Sequence, residues 1–279
     1  MIKPRDPKTS LMVVGHGTTS QEGLSQFSEV IDHLRERVAM PVGHGFIELS
    51  QPDIATGIET LLSQHHSEHV IVLPLLLLGA GHVKTDVPAA IVDARRKFRN
   101  VRFTYGRNLS IGQTLLEIVE DRARNPYEML QSSAHAVESA DFTLLVGRGS
   151  TDPDANSDLY KLARLLTERK GLGEVEPAFV SLAKPGVVEA LDRLKRLGAT
   201  GITVAPYFLF AGVLLDRIYA QARVWQSRNT NVTLWLAREM GADARIAELL
   251  ARRSQEGRST NAMNCDICIY KEKALTAGG

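Results

Sequence analysis

The sequence predicts an α/β chain of two tandem, doubly wound domains, each built on a parallel sheet. Two observations carry most of this. Short, nearly continuous apolar runs alternate with longer amphipathic stretches, as expected for strands covered on both faces and joined by right-handed helical crossovers. The pattern of the first half also returns in the second, in the same order and at a nearly constant offset. A third observation agrees: Pro52 and Pro88 fall where a first helical turn tolerates proline.

In chain order, the first strand is expected over 11–14, followed by a helix in "LSQFSEVIDHLRERV" whose Phe27, Val30, Ile31, Leu34 and Val38 share one face. Strands over 42–47, 70–78 and 101–105 follow, separated by helices in "PDIATGIETLLSQH" and "VPAAIVDARRKF" and closed by "IGQTLLEIVEDRA". Strand order 2-1-3-4 is the doubly wound expectation. The second half then repeats the first. "LMVVGHGTTS" is matched by "TLLVGRGSTD", so Gly15 and Gly17 correspond to Gly147 and Gly149; Pro52 corresponds to Pro185, Pro74 to Pro206 and Arg107 to Arg238. The domains are therefore placed at 1–125 and 142–256. A linker lies at 126–141, where the strand pattern gives way to small and polar residues with room for a helical first part. A tail at 257–279 has no counterpart in the first copy.

The formal charge of +1 gives no general attraction to nucleic acid or to an anionic membrane. The longest apolar run, "VIVLPLLLLGA", falls short of the roughly 20 residues that span a bilayer. The polar opening "MIKPRDPKTS" lacks the apolar segment of a secretory signal. Two cysteines, both near the C-terminus, exclude a disulfide framework. A cytoplasmic protein is expected. Neither half carries a G-x-G-x-x-G or a Walker sequence after its first strand, which argues against a nucleotide enzyme.

Ligands of doubly wound domains sit beyond the carboxyl ends of the strands. In the first copy those ends present His16, Glu48 and, after the third strand, His82 and Asp86. Gly15 and Gly17 are expected to let the chain turn sharply and a bulky ligand approach. Gly-His-Gly alone reads equally well as a plain turn, but three such groups at three neighbouring strand ends point to a site. Imidazole ligates borderline metals and accepts protons near neutral pH, and a carboxylate can orient it or relay its proton. The second copy has Arg148 for His16, Ser181 for Glu48, and Val213 or Leu214 for His82. It keeps the glycines and prolines and loses the candidate ligands, which assigns the chemistry to the first copy. Arg148 and Lys184, with Tyr207 and Phe208, would suit an anionic aromatic ligand, and Arg107 adds a further cation. His65, His66 and His69 read as a solvated helix end; His33 and His135 have no evident partner.

With "VVGHGT" (13–18), "FIELSQPDI" (46–54) and "LPLLLLGAGHVKTDVP" (73–88) in this order, the sequence resembles the class II chelatases, and among them the long-form sirohydrochlorin cobaltochelatases. The resemblance implies two half-domains facing each other across a cleft. There a divalent metal, Co2+ or alternatively Fe2+, enters a sirohydrochlorin-type tetrapyrrole without nucleotide hydrolysis, in the synthesis of cobalamin or of sirohaem. It implies His16 and His82 as metal-binding and base histidines and Glu48 as their acidic partner. Arg107, Arg148 and Lys184 would then meet the macrocycle carboxylates. A carrier that binds tetrapyrrole or metal without turnover is the alternative from another class. The tail "MNCDICIYK", with Cys265 and Cys268, resembles an extension associated with an iron-sulfur centre. Two thiolates do not complete a four-cysteine cluster, so a disulfide pair, a zinc half-site and metal capture stay open. The fused halves imply a monomer, or a homodimer if two tails share a cluster.

Overall fold

The computed structural model describes residues 8–79, 81–130 and 139–259. Its contacts divide the chain into two compact units, residues 1–110 with 242–279, and residues 111–241.

In the first unit β1 (Thr9–Gly15), β2 (Val42–Phe46), β3 (His69–Pro74) and β4 (Arg102–Tyr105) form one sheet in the order β2-β1-β3-β4, as expected, with every pairing parallel. Alternation along each strand sends side chains to opposite faces. Met12, Val14, Val70, Val72 and Phe103 join Ile54, Ile58 and Leu61 of α2 (Ile54–Gln64) and Val87, Ile91 and Ala94 of α4 (Asp86–Lys97) in one core. Leu11, Val13, Ile71 and Leu73, also buried, point the other way. That face is covered by α1 (Gln21–Arg37), which buries Phe27, Val30, Ile31 and Leu34, and by α9 (Ala244–Ser259), which packs on α1, β3 and β4. Between β3 and α4 lies the short α3 (Gly81–Lys84).

The second unit repeats the plan. Its sheet has the order β5-β9-β8-β6-β7, from β5 (Glu128–Leu130), β6 (Phe142–Gly147), β7 (Glu174–Phe179), β8 (Gly201–Pro206) and β9 (Thr233–Leu236). One core joins Leu144, Val146, Ile202, Val204 and Leu234 to α7 (Val187–Arg196) and α8 (Val213–Arg228). α6 (Pro153–Thr167) packs on β7, and α5 (Gln113–Arg124) on β8 and α6.

The compact units cut across the repeats. The last helix of the first repeat, α5, belongs to the second unit, where Arg122 donates to the Glu239 and Met240 carbonyls at 3.1 and 2.8 Å. The last helix of the second repeat, α9, belongs to the first unit, where the corresponding Arg253 donates to the Leu109 carbonyl at 3.3 Å.

Three expectations need correction. Residues 128–130, taken with the linker and its possible helix, form β5, antiparallel to β9; an exposed strand edge offers unpaired backbone groups to any neighbouring segment. β3 stops at Pro74, not at 78, and the Leu76 and Leu77 carbonyls accept instead from Leu109 and Ser110. His69 is not on a solvated helix end: α2 ends at Gln64, and His69 opens β3, buried, with Nε2 2.8 Å from Thr104 Oγ1 and Nδ1 3.0 Å from an Arg102 nitrogen. Among the described residues no helix is long and apolar enough to cross a membrane.

Candidate active site

The site is built where β1 and β2 end. The parallel ladder continues one step past both strands: Ile47 N–H donates to the Gly15 carbonyl and Glu48 N–H to the His16 carbonyl, each at 3.0 Å. This step carries two side chains into register. His16 Nε2 lies 3.4 Å from Glu48 Oε1, with the imidazole 26% exposed and the carboxylate 47% exposed, so a ligand from solvent can reach both. His16 Nδ1 sits 3.3 Å from the Gly17 carbonyl. With the proton on Nδ1, Nε2 presents its lone pair toward the carboxylate. Two Lewis bases then face each other across a gap that a proton or a metal ion can bridge.

Gly17 has φ +97°, the left-handed region that disfavours side chains, and a Cβ there would overlap the Glu48 carbonyl oxygen. The sharp turn expected of these glycines is present at Gly17, and both glycines also have a packing reason. Gly17 lets the loop after β1 lie directly on the loop after β2, while a Cβ at Gly15 would meet Phe27 Cε2 at 2.7 Å. The β2 loop then turns at Leu49, whose φ is +63°, with Ser50 N–H donating to the Glu48 carbonyl at 2.8 Å. Sequence patterning gives no sign of what Ser50 does next. Its hydroxyl accepts from Thr18 N–H at 2.9 Å and donates to the Thr18 carbonyl at 2.8 Å. The "SQP" turn chemistry of residues 50–52 marks a turn in the sequence, not the partners of its serine.

The second repeat reproduces the backbone without the chemistry. Val180 and Ser181 donate to the Gly147 and Arg148 carbonyls at 3.0 Å, and Leu182 has φ +60°. Gly149 has φ +85°, and a Cβ there would overlap the Ser181 carbonyl oxygen. Arg148 occupies the position of His16 and is exposed. The scaffold therefore does not require His16 or Glu48.

The remaining candidates fall out as follows. His82 lies on α3, after β3, and its side chain is outside the described residues, as are Cys265 and Cys268 of the tail. Among the described residues no three His, Cys, Asp or Glu side chains converge to hold a metal. Asp86 opens α4, with Thr85 Oγ1 3.2 Å from its carboxylate. Arg107 is exposed just after β4. Lys184 is exposed and pairs with Glu189 at 3.3 Å, near the start of α7; the Gly186 N–H and Lys184 together lower the Glu189 pKa. Tyr207 does not offer a ring to a ligand: it is 3% exposed, and burial pushes its hydroxyl pKa far up. Phe208 packs against the core of the second unit. A titratable group absent from the sequence reading is His44, on β2, edge-on to Phe27 at 5.7 Å and to Phe46 at 5.8 Å. Burial, and then the nearby Arg35 charge, lower its pKa.

The CbiX family profile matches this chain twice, over residues 10–125 and 143–257, the two repeats found in the sequence. The chain belongs to the CbiX family. Among relatives of this CbiX chain, a sirohydrochlorin cobaltochelatase of Priestia megaterium is 35% identical over 94% of this chain and 84% of its own. A sirohydrochlorin ferrochelatase of Bacillus subtilis is 31% identical over 81% of this chain and 84% of its own. Among solved structures, SirB from Bacillus subtilis with Fe3+ superposes with a TM-score of 0.76 at 28% identity, covering 90% of this chain and 96% of that one. The sirohydrochlorin chelatase SirB from Bacillus subtilis subspecies spizizenii, in complex with cobalt, gives 0.74 at 26% identity, covering 90% and 95%. The two-repeat CbiX plan read from the sequence is thus shared along nearly the full length of solved relatives.

Proposed function

We propose that this CbiX protein inserts a divalent metal ion, Co2+ as its physiological substrate, into sirohydrochlorin without nucleotide hydrolysis. The reaction exchanges one M2+ for two pyrrole protons, so the site must deliver a metal and remove protons. The observation that carries this reading is the His16–Glu48 pair, two Lewis bases 3.4 Å apart at the carboxyl edge of β1 and β2. His16 Nε2 ligates the metal or takes a pyrrole proton, the Gly17 carbonyl at Nδ1 orients the imidazole, and Glu48 receives the proton next. His82 is proposed as the second histidine of the pair. Arg107, Arg148 and Lys184 are proposed to hold substrate carboxylates, and the exposed Lys184–Glu189 pair is weak enough to open for them.

Cobalt is favoured by the cobaltochelatase at 35% identity over nearly the whole chain. Iron is the second reading, favoured by the ferrochelatase at 31% identity and by the relative solved with Fe3+. Site geometry and metal supply, more than ligand type, separate the two metals. The test is an anaerobic visible-absorption time course with sirohydrochlorin and either Co2+ or Fe2+ in separate reactions. Multiple turnovers are expected, faster with Co2+, and His16→Ala and Glu48→Gln each remove most of the rate. Stoichiometric binding without turnover would make the protein a carrier. Near-normal turnover by His16→Ala would overturn the site.

A further inference from the structure

The two repeats fix the same loop in two different ways, and the difference coincides with the candidate chemistry. In the first repeat the Thr18 backbone, two residues past His16, is held on both its N–H and its carbonyl by the Ser50 hydroxyl, at 2.9 and 2.8 Å. Ser50 is two residues past Glu48, so this tie joins the loop that carries the imidazole to the loop that carries the carboxylate. In the second repeat the corresponding backbone, Ser150, is held on the same two groups by Asn156. Its Oδ1 accepts from the Ser150 N–H at 2.9 Å, and its Nδ2 donates to the Ser150 carbonyl at 2.8 Å. Asn156 lies on α6, the helix that follows this same loop, so the clamp there is local. The counterpart of Ser50 is Ala183, which has no side-chain oxygen.

The backbone pattern of the two loops otherwise agrees. The Glu48 and Ser181 N–H groups donate at the same ladder position, to the His16 and Arg148 carbonyls, the leucines that follow share a positive φ, and the next N–H closes the same tight turn, Ser50 to Glu48 at 2.8 Å and Ala183 to Ser181 at 2.7 Å. Both repeats also use a hydroxyl to seat the residue two positions on: Ser20 N–H donates to Thr18 Oγ1 at 3.1 Å, and Asp152 N–H to Ser150 Oγ at 3.0 Å. The fold therefore needs the loop held, but it does not need the hold to come from the neighbouring loop. The hydroxyl tie from one loop to the other belongs to the repeat that has an imidazole and a carboxylate to keep in register; where Arg148 and Ser181 stand in their place, the same backbone is held by Asn156 instead.

We infer that Ser50 is a positioning residue that sets the spacing of His16 and Glu48, and through them the proton and metal transfer of the proposed chelation. This deepens the function proposed above and rests on it. Ser50 does not touch the reacting atoms; it acts through Glu48. A misplacement on the order of 1 Å between reacting groups lowers a rate by about a hundredfold, so losing the tie while the ladder bonds remain should cost between about tenfold and a hundredfold in kcat.

The test is a cycle of Ser50→Ala and Glu48→Gln, read by kcat for metal insertion and by equilibrium binding of metal-free sirohydrochlorin, with Ser50→Thr as rescue. Ser50→Ala is expected to lower kcat at least tenfold with sirohydrochlorin affinity within about twofold of wild type. Ser50→Thr restores kcat, because the hydroxyl returns. In the Glu48→Gln background, Ser50→Ala should cost less than about twofold more, since the group it positions is already disabled. Equal losses in both backgrounds, or a Ser50→Ala protein with wild-type kcat, would overturn the inference while leaving the proposed function standing. A wild-type protein that fails to insert either metal would overturn the proposed function, and this inference with it.

Discussion

Gly17→Ala offers a matched experiment, because the chain contains the same glycine twice. Gly17 and Gly149 both lie at positive φ, +97° and +85°, and at each an added Cβ would overlap a carbonyl oxygen, that of Glu48 or of Ser181. An alanine in the left-handed region costs about 1–2 kcal/mol. Pressing a methyl group against a backbone held by its own ladder bonds adds about 1–3 kcal/mol. Each substitution should therefore destabilise by about 2–5 kcal/mol and lower the melting temperature by on the order of 10 °C. The functional consequences differ. Relief of the overlap at Gly17 must move the Glu48 carbonyl by on the order of 1 Å, and with it the carboxylate facing His16, for a loss of about a hundredfold in kcat. Relief at Gly149 moves Ser181, which the proposed chemistry does not use. The assay pairs thermal unfolding with metal insertion measured well below both melting temperatures. Similar melting temperatures with unequal rates are expected. Equal rate losses in the two variants would refute the assignment of chemistry to the first repeat, and a Gly17→Ala enzyme of normal rate would refute the coupling of this loop to the pair.

Arg148→Ala combined with Lys184→Ala should raise KM for sirohydrochlorin several-fold while kcat changes little, and the gap from wild type should narrow as salt rises; a fall in kcat at constant KM would contradict their role as carboxylate partners. His44 bears on stability. Its folded-state pKa is lowered, by burial and then by Arg35, so below the unfolded value of about 6.5 the unfolded chain binds more protons and stability falls as pH falls. Urea unfolding from pH 7 to pH 5 should show this loss, and His44→Gln should flatten it; an unchanged slope in the variant would assign the loss elsewhere. Finally, Cys265→Ser with Cys268→Ser should leave chelation within about twofold of wild type, since the proposed site lies in the first repeat; a loss as deep as that of His16→Ala would tie the tail to the chemistry.

Much of the fold is visible in the sequence because it rests on local periodicity. The parallel order of the first sheet follows from the alternation of apolar runs and amphipathic helices, and the face of α1 from the spacing of Phe27, Val30, Ile31 and Leu34. The exchange of α5 and α9 is not visible, because an apolar stripe says that a helix must be covered and not which sheet will cover it. β5 is three residues gained by pairing with the free edge of β9, a tertiary contact with no pattern of its own. The His16–Glu48 pair was legible because strand ends converge by topology and because the second repeat removed both groups while keeping the glycines. Tyr207 misled for the opposite reason: its place after β8 resembles a strand end, yet its N–H still donates to the Val146 carbonyl at 2.8 Å and its ring stays buried. Ser50 left no mark, since one serine in a turn is ordinary until its partners are known.

The placement of α9 inverts the order in which a ribosome can finish this protein. Residues 111–241 form a contiguous compact unit and can close as soon as they emerge. The sheet of β1 to β4, made first, lacks one of its covering helices until residues 244–259 arrive, leaving β3, with Ile71 and Leu73 on the face α9 packs against, short of cover. At about 5–20 residues per second that wait lasts on the order of 10–30 s. During it, the half that bears His16 and Glu48 is the half most open to aggregation or chaperone capture.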